Sequence, residues 1–136
     1  MTGETGAELV DRYLRLCEDR DLEEAARLLA PDARMVFPGG RVFASLPEMA
    51  AGAGGRYRWV RKRRERYFEG AAGDATVVTS LGTLYGEDLT GEPFSGIRYA
   101  DVFVIHDGLI TEQNVYNDLT EAGIPFRPAD APQPPS

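Results

Sequence analysis

At 136 residues, with 43% hydrophobic and 27% charged positions, the chain has the size and apolar content of one folded domain, which excludes the disordered and fibrous classes. A net charge of −7 and a pI near 4.7 argue against nucleic acid or anionic lipid as a partner, because both attract basic surfaces. Cys17 is the single cysteine, so no intrachain disulfide and no Cys/His zinc set is expected.

Residues 6–18 place Leu9, Val10, Tyr13, Leu14 and Cys17 three and four apart and predict a first helix with one apolar stripe. Asp21-Leu22-Glu23-Glu24 reads as a capped start, predicting a second helix through Leu22, Ala25, Ala26, Leu28 and Leu29 that stops before Pro31. β-prone residues at 33–38 and 41–44 flank Pro38-Gly39-Gly40 and predict a short strand pair near a sheet edge. Ser45-Leu46-Pro47-Glu48 is a capping box that opens a third helix, with Met49, Ala53, Tyr57 and Val60 on one face. Gly52, Gly54 and Gly55 each weaken that helix by about 1 kcal/mol, so its docking depends on packing. Strands follow at about 62–69, 75–86, 96–106 and 109–118, the last two joined by Asp107-Gly108, a tight-hairpin signal.

Helices first and an antiparallel meander afterwards predict an α+β fold, a curved antiparallel sheet packed with three helices around one pocket. The domain is expected over 1–127, with the Pro-rich 128–136 as a loose extended tail. The amino-terminal residues carry no apolar leader and no run is long enough to span a bilayer, so the expected location is cytoplasmic.

Counting back from a two-residue Asp107-Gly108 loop pairs His106 with Leu109, Phe103 with Glu112, Asp101 with Asn114 and Tyr99 with Tyr116. On this count one hairpin face holds Ile97, Tyr99, Asp101, Phe103 and Ile105 with Ile110, Glu112, Asn114, Tyr116 and Asp118. The other face holds Ala100, Val102, Val104 and Val115 and reads as core. Asp101 and Asn114 in the middle of an aromatic face suit the wall of a pocket, since a buried unpaired carboxylate is costly; the alternative is that Asp101 ties down a neighbouring donor. Desolvation raises the pKa of such a carboxyl, which fits it to donate a hydrogen bond or accept a proton near neutral pH.

These residues resemble the nuclear transport factor 2-like superfamily, in particular its SnoaL-like and ketosteroid isomerase-like members. The likeness runs through Asp11-Arg12-Tyr13, Asp21-Leu22, Pro31-Asp32-Ala33 and the closing segment Tyr99 to Ile110, and covers about residues 7–120. It implies a cone-shaped half-barrel and a homodimer in which Val102, Val104 or Val115 lies at the contact. Tyr13 and Asp101 fall on oxyanion-hole positions of the ketosteroid isomerase type, while Phe37 stands where that type carries its base. Tyr116-Asn117-Asp118 is similar to a segment of limonene epoxide hydrolases, although strand alternation turns Arg98 away from the face of Asp101. In SnoaL-type cyclases an acid/base group sits on the final strand, where the candidates are Glu112, Asn114 and Asp118.

Seven of the fifteen Lys and Arg residues lie between Arg56 and Arg66, interleaved with Tyr57 and Trp59, and read either as a solvated face or as a grip for an anion. His106 adjoins the hairpin turn and reads as a surface residue. No phosphate loop, nucleophile elbow or metal-ligand spacing appears, so no metal and no cofactor are expected. The expected function is a cofactor-independent acid/base enzyme, an isomerase, cyclase or dehydratase acting on a small apolar carbonyl or polyketide-like compound. Asp101, Tyr13 and Asn114 are the expected catalytic residues, and Tyr99, Tyr116, Phe103, Phe37, Tyr57, Trp59 and Asp118 the expected substrate contacts. A non-catalytic ligand-binding or dimerisation domain and an epoxide hydrolase-like activity are the alternatives.

Overall fold

A computed structural model describes residues 4–53 and 57–124. The Pro-rich segment 128–136, Arg56, and positions 54 and 55 of the expected third helix lie outside the described residues.

The first helix, α1, spans Gly6–Glu18 as its stripe predicts and buries Leu9, Val10, Tyr13 and Leu14. Thr5 and Glu8 close a capping box over its start, and the Ala7 N–H donates to Glu69 across the sheet at 2.8 Å. The second helix, α2, is a short Leu22–Ala26 whose Asp21 makes no side-chain cap. It ends early because the chain is drawn into a strand: the Leu28 carbonyl accepts from the Ile110 N–H at 2.8 Å, and β1 (Leu29–Phe37) runs parallel to β6 (Leu109–Asn117). This non-local pairing outweighs the helical spacing of Leu28 and Leu29. The β1–β6 register shifts between Leu29 and Arg34, where Pro31 has no N–H to donate.

β2 (Arg41–Phe43) closes the predicted hairpin with β1, and Ser45 caps α3 (Leu46–Ala53) by accepting from the Glu48 N–H at 3.3 Å. Tyr57 and Val60 do not continue α3. They belong to β3 (Tyr57–Ala72), where Trp59 and Val60 pair with Glu87 and Gly86 of β4 (Ala75–Asp88). β-prone Tyr57, Trp59 and Val60 gain a strand ladder in place of the helix face expected for Tyr57 and Val60.

β3, β4, β5 (Pro93–His106) and β6 form the predicted antiparallel meander, and the whole sheet has the order β2-β1-β6-β5-β4-β3. Its β1–β6 pairing makes it mixed rather than purely antiparallel. β3 is bulged between Tyr57 and Trp59 and between Arg64 and Arg66. It crosses β4 so closely that a Cβ on Gly82 would lie 1.9 Å from the Arg63 carbonyl oxygen, so only glycine fits there.

Two apolar clusters fill the concave side. One joins α1 to Met35, Val78, Phe103, Ile105 and Ile110; the other gathers Leu84, Ile97, Tyr99, Leu119 and Ile124. Arg64 pins α1 to β3, its guanidinium donating to Asp11 at 2.9 Å and to Glu18 at 2.7 Å. No described helix is long and apolar enough to cross a membrane.

Candidate functional site

The β5–β6 hairpin turns through Asp107 (φ 51°) and Gly108 (φ 78°), and His106 faces Leu109 as counted. Beyond Ile105–Ile110 the register shifts by one, because Thr111 is an extra residue in β6 and Val104 pairs with Glu112. The Thr111 hydroxyl donates to the Val104 carbonyl at 3.1 Å across this bulge. Asp101 therefore pairs with Val115, not with Asn114, and Phe103 pairs with Gln113. Since a one-residue slip exchanges the faces of a strand, Gln113 and Val115 turn inward, whereas Glu112, Asn114 and Tyr116 turn outward. The face of Ile97, Tyr99, Asp101, Phe103 and Ile105 is the core side, and the face of Ala100, Val102 and Val104 is only half-buried. Val115 leaves the outer face and with it the expected dimer contact.

Asp101 is fully buried, and among the described residues neither carboxylate oxygen has a partner in hydrogen-bond geometry. Its counter-charge is Lys62 of β3, whose Nζ lies 3.4 Å from Oδ2 and 5.3 Å from the centre of the Tyr99 ring. Between the two β3 bulges the side chains of Val60, Lys62 and Arg64 alternate inward, which carries a lysine into the interior. Burial pushes the Asp101 carboxyl above its ordinary value, and the Lys62 ammonium reverses only part of that. For Lys62, burial is the largest single influence and works against the charge, but Asp101, Tyr57, Tyr99 and Cys17 together outweigh it and the ammonium is retained.

Lys62 lines two adjoining, partly open cavities, the two lobes of the site, which share Phe37, Tyr57, Val60 and Val115 in their walls. The larger lobe, about 100 Å³, is walled by residues including Tyr13, Cys17, Phe37, Tyr57, Lys62 and Gln113. The smaller, about 50 Å³, is walled by Asp101, Tyr99, Leu84, Asn117 and Leu119 among others. Both exceed the ~10–15 Å³ that one water requires. The Tyr13 hydroxyl donates to Gln113 Oε1 at 3.1 Å, so its proton is committed to an amide rather than to Asp101. Burial drives the Tyr13 phenol well above its usual range, and burial likewise raises the Cys17 thiol, which therefore stays protonated. Tyr99 shares a 2.9 Å hydrogen bond with buried Ser80.

Of the expected site residues, Asp101, Tyr13, Tyr99, Phe37 and Tyr57 meet at this cavity. Phe103 packs in the core edge-on to Tyr13 at 5.9 Å and does not line the cavity. Asn114 donates to Glu112 at 2.8 Å on the outer face. Tyr116 is 60% exposed, and Trp59 stands outside against Tyr85. Asp118 pairs with Arg98 at 2.8 Å, both away from Asp101, which removes the arrangement that an epoxide hydrolase-like site requires. His106 is a surface group beside Asp74. Lys62, Gln113 and Val115 are among the cavity residues that sequence reasoning did not assign to the site. For Lys62 the available signal was the alternation Val60, Lys62, Arg64 within the basic segment. Among the described residues no three His, Cys, Asp or Glu side chains gather as metal ligands.

A six-stranded sheet wrapped with its helices around a polar-centred cavity defines a class of small α+β domains, and the comparisons place the chain within it. Residues 10–113 match the SnoaL-like domain, and the chain belongs to that family. No match is found among curated proteins. Among solved structures, a nuclear transport factor 2-like protein of unknown function from Burkholderia pseudomallei is 20% identical with a TM-score of 0.70, covering 85% of this chain and 92% of that one. A candidate polyketide cyclase from Pseudomonas putida is 21% identical with a TM-score of 0.70, covering 88% and 96%. TerC, co-crystallized with polyporic acid, is 20% identical with a TM-score of 0.71, covering 86% and 94%. At these identities the likeness establishes the fold alone.

Proposed function

We propose that the protein is a cofactor-independent acid/base enzyme that moves a proton next to the carbonyl of a small, mostly apolar compound. The observation that carries this reading is Asp101, a buried carboxylate in the wall of a cavity with no partner in hydrogen-bond geometry among the described residues. A carboxyl with a raised pKa is suited to take a proton from carbon and return it elsewhere on the same molecule, the step shared by isomerases, cyclases and dehydratases. Tyr13 and Gln113 hold one wall in a fixed geometry, and Phe37, Tyr57 and Tyr99 supply its apolar surface. Solved structures of the same fold named as candidate polyketide cyclases are in keeping with an enolisable carbonyl compound as substrate.

The test is hydrogen–deuterium exchange at the carbon next to the carbonyl, followed by proton NMR across a panel of small cyclic ketones and 1,3-dicarbonyl compounds. Asp101→Asn should slow exchange of any accelerated compound by about 100-fold or more. An unchanged rate would remove Asp101 from the chemistry. Phe37, at the position where the ketosteroid isomerase type holds its base, favours a second reading, a ligand-binding domain without turnover. Ligand-induced stabilisation with no exchange in any compound would select that reading.

A further inference from the structure

The larger lobe of the cavity has two cationic side chains and one anionic side chain in its wall, within a chain of net charge −7. Its charged lining residues are Lys62, Arg20 and Glu18. Glu18 is already engaged, since its Oε2 accepts from the Lys62 backbone N–H at 2.8 Å and from Arg64 at 2.7 Å. Lys62 is differently placed. Its ammonium faces Asp101 and Tyr99 of β5, Cys17 of α1 and Tyr57 of its own strand. Its one ion-pair partner among the described residues, Asp101, stands at 3.4 Å, longer than the ~2.7–2.9 Å of a charge-assisted hydrogen bond. Asp101 lines the smaller lobe and is not among the residues of the larger one, so the larger lobe presents Lys62 without its counter-charge in the same wall.

We infer that Lys62 is the anion anchor of the cavity, and that the site takes compounds whose acidic enol or phenol oxygen binds as its anion against Nζ. The inference deepens the acid/base reading and rests on it for the substrate's being enolisable. In turnover the ketone would enter neutral; Asp101 takes the proton from the neighbouring carbon, the electron pair moves to the oxygen, and Lys62 holds the enolate that a bound phenolate imitates. Lys62 contributes specificity by charge, while the aromatic wall of Phe37 and Tyr57 accepts the apolar remainder.

4-Nitrophenol tests the inference directly, because its anion and its neutral form absorb at different wavelengths. Bound to the wild-type protein it should show the anion spectrum at a pH where the free phenol is largely neutral. Asp101→Asn should keep or tighten that binding, because the competing carboxylate is gone. Lys62→Met should weaken anion binding by about tenfold to a hundredfold. Should Lys62→Met unfold, the double variant Lys62→Met with Asp101→Asn removes both charges and is compared with Asp101→Asn alone. A neutral-form spectrum in the wild type, equal anion binding in the double variant and in Asp101→Asn, or no binding at millimolar probe would each overturn it. The optical readout needs no turnover: no anion binding in the wild type, with Asp101-dependent exchange intact, would defeat this inference alone. An Asp101→Asn variant that exchanges at the full rate would defeat only the acid/base reading.

Discussion

Strand β5 contributes to two ion pairs that face opposite ways. Inside, Asp101 meets Lys62 at 3.4 Å with its carboxylate wholly buried; outside, Arg98 meets Asp118 at 2.8 Å with the arginine side chain 83% exposed. The shorter pair is the less consequential one. Water screens Arg98 and Asp118 whether they touch or not, whereas Asp101 has no solvent to fall back on and depends on Lys62. Environment, not distance, ranks the two.

The strongest test of that ranking is to break each pair. Lys62→Met should destabilise the protein by about 3–5 kcal/mol, because it strands a buried carboxylate, and adding Asp101→Asn should recover most of the loss. Denaturant melts of the single and double variants measure this, and equal losses would show that packing rather than charge is at stake.

An intermediate case sharpens the comparison. Asp11 is partly buried and accepts from the Tyr67 hydroxyl at 2.7 Å, from Arg64 at 2.9 Å and from Arg15 at 2.7 Å. Burial works to raise its pKa, but the Tyr67 hydrogen bond and the two arginines outweigh it, so the folded value is lowered. The unfolded chain then binds the proton more readily, so this stabilisation is present above an ordinary aspartate pKa of about 4 and is lost as pH falls through the folded value. Asp11→Asn should cost about 1.5–3 kcal/mol at neutral pH and flatten the acid limb of a stability profile measured by denaturant melts. A limb as steep as the wild type's would assign the loss to other carboxylates. The smallest effect is expected outside: Arg98→Ala should change stability by less than about 1 kcal/mol in the same melts. A loss matching that of Lys62→Met would erase the distinction between the two faces.

What was legible in the sequence follows from how local each signal is. The stripe of Leu9, Val10, Tyr13 and Leu14, the capping residue Ser45 and the Asp107-Gly108 turn are written in neighbouring residues, and the helix, cap and hairpin they predict are present. Asp101 was legible for the same reason, a carboxylate on an apolar strand. Its partners were not. Lys62 reaches it across the sheet from a strand whose phase is set by two bulges, and Gln113 replaces Asn114 because Thr111 adds a residue that no composition marks. The early end of α2 has a similar origin, since the pairing of β1 with β6 joins segments some eighty positions apart.

Thr111 also shows where such a cavity is open to change. The lining of β6 is set by a spacing at the rim of the sheet rather than by the residues that do the lining. Losing one position between Ile110 and Glu112 would exchange Gln113 and Val115 for Glu112, Asn114 and Tyr116, converting an amide-and-valine wall into an acidic, aromatic one without a single substitution. A fold that can re-address its interior by so small an edit can diversify its ligands while its helices and core stay as they are.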